Sequence, residues 1–266
     1  MTVDGVVPLR VRLAIAADRH FKQAVNGLRA VHLGLWLGLF DPEHVAAANA
    51  AAYGRWDRYH DEQYNRSGLA NWEAEAVDRH FPGGSSVLVP SAGAGREVIG
   101  LADRGYRPTG FDPAPNLVDL GGRFLADDYP ETRLLLSPPG RLPAHLDGPF
   151  DAILFGWGGY IHVCGRENRV VLLSALRGTV ESGAPMVLSF FLRSASDRTF
   201  VVARRIAVLL RMIRGRREPV ELGDTVAATF DHHFTWDEIE SELLEGGFVA
   251  IERSAAPYPH VVCRAV

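Results

Sequence analysis

The sequence predicts a doubly wound α/β domain preceded by a helical segment. Three observations carry this. From Ser85 onward, short β-branched runs alternate with stretches of helical period; a small-residue turn, SAGAG, joins the first such run to the first such stretch; and residues from about 10 to 80 keep apolar positions at helical spacing. With 266 residues, 47% hydrophobic and 23% charged, the chain has the apolar mass for a substantial core.

The elements follow in order. AIAADRHFKQAVNGLRAVHLGLWLGLF reads as a first helix, and its apolar end, Leu28 to Phe40, is too short to span a bilayer and is expected as a buried core helix. Asp41-Pro42-Glu43 offers an N-cap, a first-turn proline and an early acid for a second helix running through HVAAANAAAYGRWDRYHDEQY. A third helix is predicted from Asn71 to His80, stopped by Pro82-Gly83-Gly84. SVLVP is then a strand, REVIGLADRG a helix, RPTGF a strand ending at Asp112, and NLVDLGGRFLADDY a helix. RLLLS, FDAILFGWG and APMVLSFFL give the third, fourth and fifth strands, with RENRVVLLSALRGTVES as the helix before the fifth. Ser194 to Phe234 interrupts the rhythm with a basic amphipathic helix, ARRIAVLLRMIRGRR, expected to bury one stripe and solvate its arginines, and then a polar loop. TWDEIESELLEGGF, FVAIERS and HVVCRAV restore the alternation.

Charge and cysteine usage narrow the function classes. A net charge of −4 leaves no global basic field for nucleic acid. Cys164 and Cys263 are too few and too far apart for a disulfide framework or thiolate metal site, and they fit a reducing compartment. MTVDGVVPLRVRLAIAADRH has neither the basic start nor the apolar run of a secretory signal, so a cytoplasmic location is expected.

The sharpest signal is VLVPSAGAGREV, residues 87 to 98. Small residues let the backbone approach a ligand, and the helix start offers free N–H groups and a positive dipole end. Asp112, at the end of the next strand, is placed to accept hydrogen bonds from ribose hydroxyls. Together they point to an adenosine-containing cofactor. A dinucleotide fingerprint starting at Gly93 requires a small residue at position 98, where Val98 stands, so a cofactor without a pyrophosphate fits better.

Here the chain resembles class I S-adenosylmethionine-dependent methyltransferases. VLVPSAGAGREVIGLADRGYRPTGFDPAPNLV is similar to their first two motifs, FDAILFGWGGYIHV to the fourth-strand motif, SALRGTVESGAPMVLSFF to the following helix and fifth strand, and FTWDEIESELLEGGFVAIE to the terminal helix and strand. The resemblance spans roughly residues 70 to 266. It implies a Rossmann-like seven-stranded sheet whose last strand is antiparallel, S-adenosylmethionine as cofactor, and methyl transfer. It further implies that Ser91, Ala92, Gly93 and Gly95 line the methionine part, that Asp112 holds the ribose with Pro113 beside the adenine, and that Phe155, Gly156 and Trp157 lie under the cofactor. The chain departs from the family pattern in three places. Val89 and Pro90 stand where an acidic and an aliphatic residue are usual, Ser91 replaces the first glycine, and SPPGRLPAHL lacks the acid that often meets the adenine amine. Backbone groups from Gly140 to Leu142 are the expected substitutes there.

Methyl transfer needs alignment and exclusion of water, and a general base only where the nucleophile must lose a proton. Tyr160 and His162, in the GWGGYIHV stretch after the fourth strand, and one histidine of Asp231-His232-His233, taken as His233, are the candidate catalytic side chains. Adjacent histidines diverge in extended chain and no third ligand stands at metal spacing, so no metal is expected. Trp56, Tyr59, His60 and Tyr64 are candidate lid residues, Tyr64 foremost, because an aromatic ring attracts a sulfonium. The expected organisation is a helical cap over residues 1–82 and a cofactor domain over 83–266, with 194–234 as an insertion covering the pocket. The expected substrate is a small molecule, with no nucleic acid and no membrane, and a homodimer is left open. GWGG is not the Asn/Asp-Pro-Pro-aromatic type, and no motif selects O-, N-, C- or S-methylation. Two alternatives stay open: cyclisation or aminocarboxypropyl transfer from the same cofactor, and a non-catalytic partner retaining the fold.

Overall fold

The computed structural model describes residues 8–126 and 128–266. The first seven residues of the expected cap, and Asp127 in the expected helix after Asp112, lie outside them. In chain order the elements are α1 (Leu9–Leu39), α2 (Pro42–Tyr53), α3 (Asp57–His60), α4 (Glu62–Asn65), α5 (Asn71–His80), β1 (Ser86–Pro90), α6 (Arg96–Ala102), β2 (Arg107–Asp112), α7 (Pro115–Ala126), β3 (Arg133–Leu136), β4 (Ala152–Phe155), α8 (Arg166–Arg177), β5 (Pro185–Ser189), β6 (Phe191–Leu192), α9 (Arg198–Ile213), β7 (Asp224–Val226), β8 (Phe230–Phe234), α10 (Trp236–Glu245), β9 (Phe248–Ser254) and β10 (His260–Ala265). They fall into two compact units, one of Asp41–Ala195 with Ala228–Val266, the other of the chain up to Phe40 with Ser196–Ala227.

The larger unit holds a seven-stranded sheet in the order β3-β2-β1-β4-β5-β10-β9. β1 pairs in parallel with both β2 and β4, and β5 continues parallel to β4. β10 runs antiparallel between β5 and β9, as the resemblance implies. Alternation along the strands feeds two cores. Leu88, Ile153, Phe155, Met186, Leu188 and Val261 face α8 and α10, while Val87, Val89, Leu154, Val187 and Val262 face α5, α6 and α7.

Val98, the bulky residue of the first helix turn, is accommodated from across the interface. A Cβ on Gly110 of β2 would lie 2.7 Å from Val98 Cγ2 and 2.9 Å from Ala92 Cβ, so the space a small residue at 98 would leave is opened by a glycine on the neighbouring strand instead.

Three sequence expectations are corrected. The second helix does not run on to Tyr64. α2 stops at Tyr53, and α3 and α4 are single turns, the second started by Asp61, whose Oδ1 accepts from Tyr64 N at 2.6 Å. The polar loop before Phe234 contains β7 and β8, and β6 pairs in parallel with β8. Along β8, burial alternates, with Phe230, His232 and Phe234 buried and Asp231 and His233 half-buried.

The third correction concerns the smaller unit. α1 is not a buried core helix. Ala30, Leu33, Gly34, Leu37 and Gly38 are buried against α9, but Leu28, Val31, Leu35, Trp36 and Leu39 are exposed. Nor are the arginines of α9 all solvated. Arg211 donates to Leu37 O at 3.1 Å and Phe40 O at 3.3 Å, and Arg214 donates to Gly38 O at 2.9 Å. α1 has no basic residue in its last turn, and these guanidinium groups satisfy the carbonyls its C-terminus leaves over.

Candidate cofactor and substrate site

β1 ends directly in the turn Ser91–Gly95, which starts α6 with Gly95 in the left-handed region at φ 95°. Ser91, standing where a glycine is usual in the resembled family, also takes a left-handed φ of 54°, and Trp157 takes 46°. Both line the same cavity, and such conformations for residues with a Cβ concentrate where the surroundings enforce them. Asp112 locks this turn. Its Oδ2 accepts from Gly93 N at 2.8 Å and its Oδ1 from Ala114 N at 2.8 Å. Burial pushes Asp112 up to about 6, against the lowering effect of those two N–H groups. Each carboxylate oxygen keeps lone-pair capacity for a further donor from the cavity.

Of the residues expected at a cofactor, Ser91, Ala92, Gly93, Asp112, Pro113, Phe155, Trp157 and Tyr64 all line this one cavity, and so does His162. Gly95 sits behind the turn as the start of α6, and Gly156 faces a charged cluster. In that cluster Arg96 Nη2 donates to Glu73 Oε1 at 2.8 Å and Glu97 Oε1 at 2.6 Å, and Nη1 donates to Gly68 O at 2.6 Å. All three charged side chains are buried. Burial first, then the Glu97 carboxylate, pushes Glu73 up, and Arg96 opposes the rise. A Cβ on Gly156 would lie 2.8 Å from Glu73 Oε1, so the fourth-strand glycine makes room for this cluster.

Two predicted aromatics are already engaged. The Arg58 guanidinium lies 4.4 Å from the centroid of Tyr64, on the ring expected to attract a sulfonium. Tyr258 stacks on Trp157 with centroids 5.4 Å apart, and Arg96 lies 5.0 Å from the Trp157 centroid.

A second part of the cavity lining is assembled from distant segments. His162, in the single 3-10 turn Gly159–His162 after β4, places Nδ1 2.9 Å from Phe230 O and 3.1 Å from Asp231 Oδ1. Its Nε2 hydrogen-bonds the hydroxyl of Tyr53, which also lines the cavity. With both neighbours of Nδ1 acceptors, the proton resides on Nδ1 and the Nε2 lone pair accepts from Tyr53. Burial, with Tyr59 and Asp231 nearby, raises Tyr53 above the ordinary phenol range.

Two predicted catalytic residues lie elsewhere. Tyr160 is fully buried. Its hydroxyl donates to Glu242 Oε2 at 2.7 Å, and Glu242 is bridged by Arg169 Nε at 3.0 Å and Nη2 at 2.7 Å. Burial and Glu242 push the Tyr160 hydroxyl well above its ordinary range, and its commitment to Glu242, away from the cavity lining, makes it a structural donor. His233 turns its ring to Phe191, with centroids 5.2 Å apart. Asp231, two residues earlier on the same face of β8, reaches His162 in its place; the alternation of the strand and the DHH triplet held that signal. Tyr53, inside an Ala-rich helical stretch, carried no distinguishing pattern.

No family model matches the chain, and no curated protein matches it in sequence. Solved structures match it in fold. A 1,6-didemethyltoxoflavin-N1-methyltransferase from Burkholderia thailandensis, with bound 1,6-didemethyltoxoflavin and S-adenosylhomocysteine, is 17% identical over 85% of this chain and 91% of its own, with a TM-score of 0.57. An S-adenosylmethionine-dependent methyltransferase from Methanosarcina mazei is 16% identical over 75% and 99%, with a TM-score of 0.56. CalS10, an amino pentose methyltransferase from Micromonospora echinaspora with bound S-adenosylmethionine, is 15% identical over 77% and 95%, with a TM-score of 0.54. This chain has the fold of the class I S-adenosylmethionine-dependent methyltransferases.

Proposed function

We propose that the protein is an S-adenosylmethionine-dependent methyltransferase acting on a small molecule whose attacking atom carries a proton. One observation carries the reading: a single cavity is lined by Ser91 to Ala94 and Asp112 and also by His162 and Tyr53, with Asp231 tied to His162. The fit to the cofactor rests on Asp112, whose oxygens retain acceptor capacity, and on the open backbone of the turn beside it. Asp112 holds the ribose and the turn receives the methionine part. When bound, S-adenosylmethionine supplies an electrophilic methyl carbon on a sulfonium.

The chain's own residues then do three things. The aromatic wall of Tyr53, Tyr59 and Tyr64, on the short helical pieces that cap the site, excludes water and orients the acceptor. Asp231 and Phe230 O hold the His162 ring with Nε2 toward Tyr53. Tyr53 takes the proton of the nucleophile as it passes its own to His162 Nε2, and Asp231 stabilises the imidazolium that results.

Calorimetry with S-adenosylmethionine tests the site. The wild type is expected to bind, and Asp112→Ala to weaken binding by about 1–3 kcal/mol through lost charge-assisted hydrogen bonds. Absence of heat from the wild type overturns the reading. Product analysis tests the chemistry: methyl transfer leaves S-adenosylhomocysteine, whereas methylthioadenosine marks attack at another carbon.

A further inference from the structure

α1 presents two faces of opposite character. On one, a Cβ added to Gly34 would lie 2.7 Å from Ala203 O, and one added to Gly38 would lie 2.8 Å from Leu210 Cβ, so α9 fills that side over the last turns, from Ala30 to Gly38. The other carries Phe21 at 68% exposure, Val25 at 46%, Leu28 at 72%, Leu35 at 42% and Leu39 at 43%, with His32 exposed in the same line. Successive members of this row are four and three residues apart in turn. That is the 3.5-residue repeat by which one helix keeps a seam toward another.

The residue types fit one pairing. Val25, His32 and Leu39 occupy the a positions and Phe21, Leu28 and Leu35 the d positions. A β-branched residue at a with leucine at d favours two parallel strands, and a polar side chain at one a position fixes the register. The flanking e positions hold Lys22, Arg29 and Trp36, while the g positions include Ala24 and Val31. In a parallel pair e packs against g of the partner, so each cation meets a small or apolar side chain. An antiparallel pair sets e against e, which brings Arg29 against its own copy. Asp18, at the next a position, ends the seam.

We propose that Phe21–Leu39 of α1 pairs with the same segment of a second copy as a parallel two-stranded coil. A flat lipid surface fits the unit less well. The exposed apolar residues of α9, Leu209, Met212 and Ile213, lie on the side turned away from the Phe200, Ala203 and Ala207 face that is buried, so one plane cannot cover both helices. No helix among the described residues is long and apolar enough to cross a membrane. The seam is about 28 Å long. It buries less than the roughly 800 Å² per partner of a standard interface, so the dimer dissociates on dilution.

Light scattering after size exclusion, over about 1–500 μM protein, reads the equilibrium directly. The wild type is expected to pass from dimer to monomer on dilution. Leu28→Glu, at an exposed position, is expected to leave the melting temperature of the dilute monomer in place and to raise the dissociation constant at least about a hundredfold, and His32→Leu to lower it. In a Cys164→Ser background, Val25→Cys is expected to cross-link to itself under mild oxidation, because parallel pairing brings equal positions together. Four results overturn the proposal: a monomer at every concentration, a dimer indifferent to Leu28→Glu, no cross-link at Val25→Cys, or a monomer captured through α1 by phosphatidylglycerol vesicles.

Discussion

The two walls of the cavity are made by different means. One comes from an uninterrupted stretch, Pro90 to Asp112, in which a strand, a turn, a helix and a second strand bring Gly93 N within 2.8 Å of Asp112 Oδ2. The other is collected from α2, from the turn after β4 and from β8, and its central contacts join residues far apart in the chain, Tyr53 to His162 and His162 to Asp231. A wall written in consecutive residues is positioned by backbone geometry and tolerates side-chain change. A wall gathered from remote segments depends on the buried ties that hold those segments in place.

The largest expected effect breaks such a tie. Glu242 receives Tyr160 and Arg169 in the core beneath the His162 turn, and Glu242→Ala leaves the fully buried Arg169 guanidinium without its carboxylate. A loss of about 3–5 kcal/mol in urea unfolding is expected; a loss under 1 kcal/mol shows that the gathered wall does not lean on this network.

Next, His162→Ala is expected to lower kcat about a hundredfold or more while the affinity for S-adenosylmethionine stays within twofold, since only the gathered wall is touched. Equal damage to cofactor binding erases the distinction between the walls.

Proton titration sharpens the comparison from the other side. Asp112 titrates near 6 in the folded protein, above the ordinary carboxylate range, and its ionised form is the stronger acceptor for ribose hydroxyls. Cofactor affinity is therefore expected to hold above pH 7 and to fall as pH drops through 6, approaching tenfold per pH unit below it. A pH-independent affinity from 7 to 5 breaks the assignment. The sign for stability is opposite: the raised folded-state value makes the cofactor-free protein lose stability as pH rises from about 4 toward 6.

The smallest effect concerns the local wall alone. Ser91 holds φ 54°, and Ser91→Gly is expected to relieve about 1 kcal/mol of backbone strain, visible as a higher melting temperature. No change in melting temperature means the loop geometry costs nothing there.

The same contrast explains what was legible in the sequence. The strand–loop–helix signature and Asp112 could be found because their relation is set by neighbours along the chain, and a parallel sheet with helices between its strands followed from the alternation of periods, while the antiparallel last strand came only from the resemblance. Even the odd residue, Val98, was visible as a departure, although its remedy at Gly110 was not, since the two meet only once β2 lies beside α6. Tyr53 was hidden for a like reason. Helical spacing predicted one helix through to Tyr64, and only the break after α2 turns Tyr53 toward His162. At β8 the right segment was found and the wrong member chosen. Period 2 puts Asp231 and His233 on one face, and only the position of the His162 turn decides between them. The buried Arg96 shared by Glu73 and Glu97 needed three separated segments to come together, which no local pattern announces.

The guanidinium groups of Arg211 and Arg214 have a consequence for the order of assembly. They finish the carbonyl end of a helix whose own residues were translated 171 to 176 positions earlier. At about 5–20 residues per second, the nascent N-terminal helix waits on the order of 10–30 s for the segment that completes it. During that interval the face destined for α9 is bare, so a stalled or truncated chain would present this early helix to chaperones and proteases.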